Sequence, residues 1–375
     1  MKAEVLTLSD CDLAWLGSEW TSLEAQSCES FFGSWSWVGS WLDAVSDRSS
    51  LWLLRVTDAG QTLALAIFGK VPRSPVAVWL PRTLQLHETG RAVEDAVTVE
   101  HNGVLADPGI ARPVWKAILT ELNRHRRAWH RLRLSSVPEG AQAQALAASA
   151  RAERLSVVER YSRPYYWVDL DAIRDAGEHY MDTLSRNTRY QIRRAYKAYG
   201  GVEALHVSQA QTLAEARHVF GELQRVHTQY WHGRGQPGAF GSEFATRFHD
   251  LVLQRAMQRG QLQLLTIASN EGNIGYLYNL VSAGRVMSYQ SGFHYADDNK
   301  RKPGLVSHSL AIEHSLAQGH RLYDFLMGDS QYKRSLASHV GQMRWVEVRR
   351  PLLRFWIEDR LRAAKARLRW RWRWR

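Results

Sequence analysis

The stretch that decides the fold covers residues 261–337, QLQLLTIASNEGNIGYLYNLVSAGRVMSYQSGFHYADDNKRKPGLVSHSLAIEHSLAQGHRLYDFLMGDSQYKRSLA. Two apolar runs, 262–267 and 274–278, flank a turn at residues 270–273 and predict a β-hairpin. A further strand is predicted over 285–291. A basic loop with one glycine follows it, and then a helix over 305–318.

This order of elements predicts an anion-binding site. A helix that begins directly after a loop presents free N–H groups and the positive end of its dipole. Lys300, Arg301 and Lys302 add charge to that loop, and Gly304 lets the backbone come close to a ligand. A buried strand at 322–326 completes the arrangement, which is typical of a site for a thioester or CoA.

The composition is that of a globular chain with room for two domains. The 375 residues are 45% hydrophobic and 23% charged. Two cysteines, Cys11 and Cys28, lack metal-site spacing and are expected to be reduced, as in the cytoplasm. The acidic N-terminal segment lacks the apolar core of a signal peptide, and no apolar run is long enough to span a membrane.

The net charge of +12 is concentrated at the C-terminus. From Arg349 onward there are eleven Lys or Arg and two acids, so the preceding 348 residues carry only +3. Nucleic-acid binding by the body is therefore not expected. In an extended strand, residues 367–375 would place Trp on one face and Arg on the other. The Arg/Trp pattern of this tail leaves three interpretations open: a disordered solubilising segment, a contact with the anionic inner face of the membrane, or a nucleic-acid contact.

Two halves of the chain share one pattern. The hairpin predicted over 51–65 resembles the one at 262–278, and each follows an aromatic helical stretch, at 34–45 and at 244–257. Helices alternate with strands in both halves, which predicts an α/β fold of two tandem mixed-sheet units with a basic C-terminal tail. We expect an N-terminal domain over residues 1–160, a C-terminal domain with the donor site over 161–348, and a basic appendage over 349–375.

Two further segments are candidates for substrate binding. In the helix predicted around residues 185–199, the apolar stripe leaves Arg189 and Arg193 outside it, either as a solvated face or as a phosphate cradle. The Gly-rich segment 227–240 carries Trp231 and Arg234 and predicts a flap over a site. His227 and His232 lack a third ligand nearby, so no metal site is expected.

The chain resembles the CelD-like (BioF2-like) acetyltransferases of the GNAT superfamily, relatives of the FemAB peptidyltransferases. The resemblance covers residues 30–340 and rests on the order of several short motifs. These are Ser34-Trp35-Ser36-Trp37-Val38, Val99-Glu100-His101-Asn102-Gly103, Ser185-Arg186-Asn187-Thr188-Arg189, the flap from Trp231 to Phe240, Lys302-Pro303-Gly304-Leu305, and Tyr323-Asp324-Phe325-Leu326-Met327-Gly328 with Tyr332-Lys333.

The resemblance implies two GNAT-like units, acyl-CoA as co-substrate without a tightly bound cofactor, and an amine acceptor. One departure matters, because the glycine-rich pyrophosphate loop of GNAT enzymes is reduced here to a single glycine. FemAB-like relatives use aminoacyl-tRNA instead, so both donors stay open. The donor-binding candidates are Lys300, Arg301, Lys302, Gly304, Leu305, Val306, Ser291 and Lys333.

The chemistry of acyl transfer selects the remaining candidates. Strand-end N–H groups near residues 288–292 would hold the oxyanion, with Tyr289 among the substrate-binding residues. Tyr332 is the candidate acid, with a packed aromatic as the alternative. Asp324 is either paired with an arginine or a base of raised pKa, and Asp329 is a second candidate base.

The resulting expectation is a cytoplasmic N-acyltransferase that moves an acetyl or longer acyl group from CoA to an amine, in exopolysaccharide or cell-envelope metabolism. An aminoacyl-tRNA-dependent transferase and a non-catalytic accessory protein of polysaccharide assembly are the alternatives.

Overall fold

The computed structural model describes residues 1–27, 30–73, 79–236 and 238–372. Within these residues thirteen strands form one mixed sheet in the order β1-β2-β3-β4-β6-β13-β7-β12-β11-β10-β9-β8, and β5 pairs with β3. The first half of the chain contains β1 (Lys2–Thr7), α1 (Leu13–Ser27), α2 (Trp35–Ala44), β2 (Leu51–Asp58), β3 (Gln61–Lys70), β4 (Thr83–Leu86), β5 (Leu105–Ala106), α3 (Ala111–Arg124), β6 (Arg131–Pro138), α4 (Ala141–Ala152) and β7 (Ser156–Asp169).

The second half begins with three helices and then repeats the series. Its elements are α5 (Leu170–Asp175), α6 (Tyr180–Thr183), α7 (Arg186–Ala198), β8 (Leu205–Gln209), α8 (Leu213–His232), α9 (Glu243–Gln258), β9 (Leu262–Ser269), β10 (Gly272–Ser282), β11 (Arg285–Phe293), α10 (Pro303–Ala317), β12 (Leu322–Met327), α11 (Gln331–Leu336), β13 (His339–Arg349) and α12 (Leu353–Trp372).

The internal repeat predicted from the two hairpins is present in the topology. Each half runs strand, two helices, three strands, helix, strand, helix, strand, from β1 to β7 and from β8 to β13, with β5 as an insertion. In each half a helix crosses over to a parallel strand, α3 from β4 to β6 and α10 from β11 to β12. The chain is therefore an α/β protein of two tandem mixed-sheet units, as predicted.

The two units exchange their last strands. β13 ends the second unit but lies between β6 and β7 of the first, and β7 lies between β13 and β12. One continuous sheet results. The expected domain limit at residues 160/161 falls inside β7, and the three-domain division stays a prediction.

The core lies on both faces of the sheet. Helices α2 and α9 pack together across the two units, and Trp37 and Phe248 meet there with ring centroids 4.8 Å apart. On the other face, α3 and α4 cover the first unit, and α7 and α10 cover the second. The stripe predicted on α7 is buried, from Leu184 through Ile192 to Tyr199.

Residues 367–372 would separate Trp from Arg only in an extended strand, and in the structure they belong to helix α12, which continues to Trp372. Residues 373–375 lie outside the described residues, as does Cys28. Among the described helices, none combines the length and hydropathy required to cross a membrane.

Candidate functional site

A gap between two parallel strands forms the centre of the site. β11 and β12 pair only from Arg285 to Met287, opposite Leu322 to Asp324. Beyond this point β11 continues to Phe293 without β12 beside it, and alternate N–H groups on that edge face the gap. A bulge in the β10–β11 pairing occurs at Tyr289. The strand-end donors predicted near residues 288–292 lie along this gap, which we call the wedge.

A cavity of 520 Å³ lies beside the wedge, and we call it the donor cleft. Helix α10 begins at its wall with Pro303 in the first turn, and the preceding Lys302 provides no side-chain cap. The N–H groups of Gly304 and Leu305 therefore have no intrahelical acceptor and are free for a ligand. A Cβ at Gly304 would lie 3.3 Å from the Phe293 ring, so glycine keeps this wall open.

The structure brings only part of the predicted donor-binding set into the donor cleft. Arg301, Lys302, Gly304 and Leu305 line it. The Arg301 guanidinium pairs with Glu271, and Lys302 Nζ donates to Gln191 Oε1 at 2.7 Å. Of the remaining predicted residues, Lys300 is exposed on the adjoining loop and Val306 is buried in the helix, whereas Ser291 and Lys333 are outside the cleft lining.

Helix α7 forms the opposite wall through Asn187, Thr188 and Gln191. Arg194 follows Asn187 and Gln191 at helical spacing and shares their face. The two arginines predicted for substrate binding lie elsewhere on the helix, since Arg189 donates to the carbonyl of Asp182 at 2.8 Å and Arg193 is exposed.

The predicted flap adjoins the donor cleft through stacked side chains. Arg234 lies over the Tyr230 ring at 3.7 Å, and Tyr230 stacks on Tyr295, a cleft residue, with centroids 5.0 Å apart. His227 fastens the flap to β11, because Nδ1 donates to the carbonyl of Ser291 at 3.1 Å and Nε2 accepts from the N–H of Ala239 at 3.2 Å. Trp231 is exposed beside it, and Pro237 lies outside the described residues.

Tyr332 and His308 form the inner end of the donor cleft. Their rings stack with centroids 5.1 Å apart. Burial raises the pKa of Tyr332 to about 12, so the phenol stays protonated and able to donate. Burial, with Lys333 nearby, lowers the pKa of His308 to about 3, and its Nε2 has no hydrogen-bond partner among the described residues.

Asp324 is buried at the contact between the two units. Its Oδ2 lies 2.8 Å from His101 Nε2 and 3.7 Å from the Arg285 guanidinium, and its Oδ1 accepts from the N–H of Leu326 at 2.7 Å. Burial alone would raise the pKa of Asp324, but His101 and Arg285 outweigh it and the pKa is lowered. These contacts favour the paired alternative over a base of raised pKa.

Glu100 is the carboxyl group whose environment suits a base. Its Oε2 accepts from the N–H of Met327 at 2.6 Å, and burial raises its pKa to about 7. Lys333 Nζ donates to the carbonyls of Leu326 and Met327 at 3.3 and 2.6 Å. Leu326 has a φ of +60°, a strained conformation that these contacts hold at the end of β12.

Glu100 is not among the candidates selected from the sequence. We call Glu100, His101, Arg285, Asp324 and Lys333 the junction cluster. The motif Val99-Glu100-His101-Asn102-Gly103 contributed only to the resemblance. An acid followed by His and Asn in a loop carries no periodic signal, and its partners are more than 200 residues away.

Two other predicted residues lie away from the donor cleft. Asp329 is exposed; it accepts from the Tyr166 hydroxyl and pairs with Arg334, and these two contacts lower its pKa. Tyr289 packs in the aromatic core between the units, 5.5 Å from Trp37 by ring centroids.

The corresponding gap in the first unit is filled. Between β4 and β6, Asn102 Nδ2 donates to the carbonyl of Leu86 at 2.9 Å, and the Asn102 N–H donates to the carbonyl of Ser136 at 3.0 Å. Next to this bridge, a cavity of 240 Å³ is lined by polar side chains of both units, among them His87, His101, Gln142 and Arg285. We call this the inter-unit cavity.

Residues 186–334 match a family model described as the acetyltransferase (GNAT) domain. The match contains α7, the wedge and the donor cleft. No curated protein matches the sequence.

Solved structures share the fold over nearly the whole chain. FemX aligns at 9% identity and a TM-score of 0.58, covering 92% of this chain and 97% of its own. L-PGS from Bacillus licheniformis aligns at 12% identity and a TM-score of 0.54, covering 89% of this chain and 92% of its own. The predicted GNAT-superfamily, FemAB-like fold is confirmed by the domain match together with these neighbours.

Proposed function

We propose that this chain, an acyltransferase whose residues 186–334 form a GNAT domain within a FemAB-like fold, moves an acyl group from CoA to an amine. The donor cleft carries this proposal. It combines a helix start with free N–H groups, flanking cations and a wall formed by Phe293 at the end of β11. A CoA donor would place the reaction in the cytoplasm, and an acceptor from exopolysaccharide or cell-envelope metabolism is part of the proposal.

Each half has a separate role in this proposal. Residues 161–348 hold the donor, with its phosphates at Gly304, Leu305 and Lys302. Residues 1–160 supply Glu100 and part of the inter-unit cavity, where the amine would bind. Residues 349–375 form the basic appendage.

The transfer step can be written with these groups. The amine nitrogen attacks the thioester carbon, and β11 N–H groups facing the wedge stabilise the oxyanion. The C–N bond forms and the C–S bond breaks. Glu100 accepts the proton that the amine loses, and Tyr332 donates a proton to the departing sulfur. Lys333 holds the end of β12 through its hydrogen bonds to Leu326 and Met327, and its ammonium group places a positive charge near Glu100.

An ester-linked aminoacyl-tRNA is the second candidate donor, and one observation favours it. Helix α7 exposes Arg186, Arg193, Arg194 and Lys197, and none of them has a carboxylate partner among the described residues. Such a face extends beyond the donor cleft and suits several phosphates, as a nucleic-acid backbone provides.

Calorimetry with acetyl-CoA, CoA and aminoacyl-tRNA separates the two donors. Lys302→Glu should weaken acetyl-CoA binding by about 1–3 kcal/mol, because it reverses a charge at the helix start. Lys197→Glu is the matched control, since this cation projects from another side of α7. The control should leave CoA binding unchanged but weaken RNA binding. Equal CoA affinity in wild type and Lys302→Glu would contradict the donor placement.

A further inference from the structure

Helix α12 exposes most of its large apolar side chains. Its protein-facing side buries Phe355 under the Arg349 guanidinium, and there Asp359 lies 3.0 Å from Arg349 and Glu358 lies 3.6 Å from Arg131. Its other side faces solvent. Leu353, Trp356, Ile357 and Leu361 are 73, 58, 46 and 63% exposed, at spacings that place them on one face.

A neighbouring loop enlarges the apolar surface. Arg354 of α12 donates to the carbonyl of Trp79 at 3.2 Å, and Trp79 is 71% exposed beside the half-exposed Leu80. We call Trp79, Leu80, Leu353, Trp356, Ile357 and Leu361 the docking face. A cluster of exposed side chains this large normally marks an interaction surface.

Positive charge surrounds the docking face. Arg82, Arg350 and Arg354 donate to backbone carbonyls, and none of them has a carboxylate partner among the described residues. His130 lies among these arginines, and burial together with their charges lowers its pKa to about 4. The sequence after Arg362 adds six more cations and no acid.

We propose that the docking face binds the surface of an anionic lipid bilayer. Trp side chains favour the interfacial zone, apolar side chains enter the boundary of the acyl region, and arginines pair with anionic headgroups. A second copy of the chain would bring the same positive charges together across a two-fold axis. Nucleic acid would use the arginines but leave Leu353, Ile357 and Leu361 without a role. This proposal does not depend on the identity of the acyl donor.

Co-sedimentation of the full chain with vesicles tests the proposal. We expect binding to phosphatidylcholine vesicles that contain phosphatidylglycerol, release at high salt, and little binding to phosphatidylcholine alone. The triple variant Trp356→Ser, Ile357→Ser, Leu361→Ser keeps every charge and should bind about tenfold or more weakly. The control Val202→Ser removes a side chain that is 64% exposed on another element, and should bind like wild type.

Other outcomes would overturn the proposal. Equal vesicle binding by the triple variant would do so, as would equal binding to neutral vesicles. Loss of binding in a variant with Trp370, Trp372 and Trp374 changed to Ser, while the triple variant still binds, would assign the contact to the tail alone. A dimer in sedimentation velocity that the triple variant dissociates would assign the face to a second copy. Retained melting temperature and donor affinity in each variant show that the fold is intact.

Discussion

The protonation state of Glu100 should determine how the proposed reaction depends on pH. Its pKa is raised to about 7 by burial, so the carboxyl becomes a base only as the pH rises through that value. We expect kcat/KM to rise with pH and level off above about pH 7. Glu100→Gln should lower the plateau about 10²–10⁴-fold and remove the rise. Glu88→Gln is the control, because Glu88 also has a raised pKa but lies outside the junction cluster.

The same shift has a consequence for stability. The folded protein retains a proton on Glu100 that the unfolded chain releases above its ordinary pKa of 4.5. Glu100 therefore contributes a loss of stability as the pH rises from about 4.5 to about 7. Glu100→Gln should flatten that part of the profile of unfolding free energy against pH. An unchanged slope would show that other groups produce it.

Tyr332 and Asp324 should respond differently to substitution. Tyr332→Phe removes the proposed proton donor and should lower turnover while the melting temperature stays near wild type. Asp324→Asn removes the carboxylate that Arg285 faces at 3.7 Å and that lies 2.8 Å from His101 Nε2, and breaking a buried ion pair typically costs about 3–5 kcal/mol. We therefore expect it to lower both stability and turnover. Full activity in Tyr332→Phe would rule out its role as the acid.

At the scale of elements, the face of α7 decides which cations meet a donor. Arg194 shares the face of Asn187 and Gln191, whereas Arg193 projects a quarter-turn away. Arg194→Glu should therefore weaken CoA binding more than Arg193→Glu does, by about 1 kcal/mol or more. Isothermal titration of the two variants, which carry the same charge, makes the comparison direct. Equal losses of CoA affinity in the two variants would mean that only the total positive charge of the helix matters, and not the face on which each arginine lies.

Local patterns predicted most of the elements, since hairpins, caps and helical stripes depend on near neighbours. The helix predicted over 305–318 is α10, Pro303–Ala317, and the two matched hairpins are β2–β3 and β9–β10. The junction cluster was not predictable in this way, because Glu100 and Met327 meet only when both units share one sheet. The tail shows a different limit of sequence patterns. The alternation of Arg and Trp has the period of a strand, but the described residues up to Trp372 form helix α12.

At the scale of the whole molecule, the strand exchange should make the two units unfold together. Val348 is fully buried on β13, which belongs to the second unit in sequence and pairs with β6 of the first. Val348→Ala should lower the unfolding free energy by about 2 kcal/mol through lost burial and the cavity left behind. The loss should appear equally in hydrogen exchange of the β2–β3 and β9–β10 hairpins, because neither unit keeps a complete sheet alone. Val340→Ala on the same strand, 57% exposed, should change stability little. If Val348→Ala weakened protection in only one hairpin, the units would fold independently despite the exchanged strands.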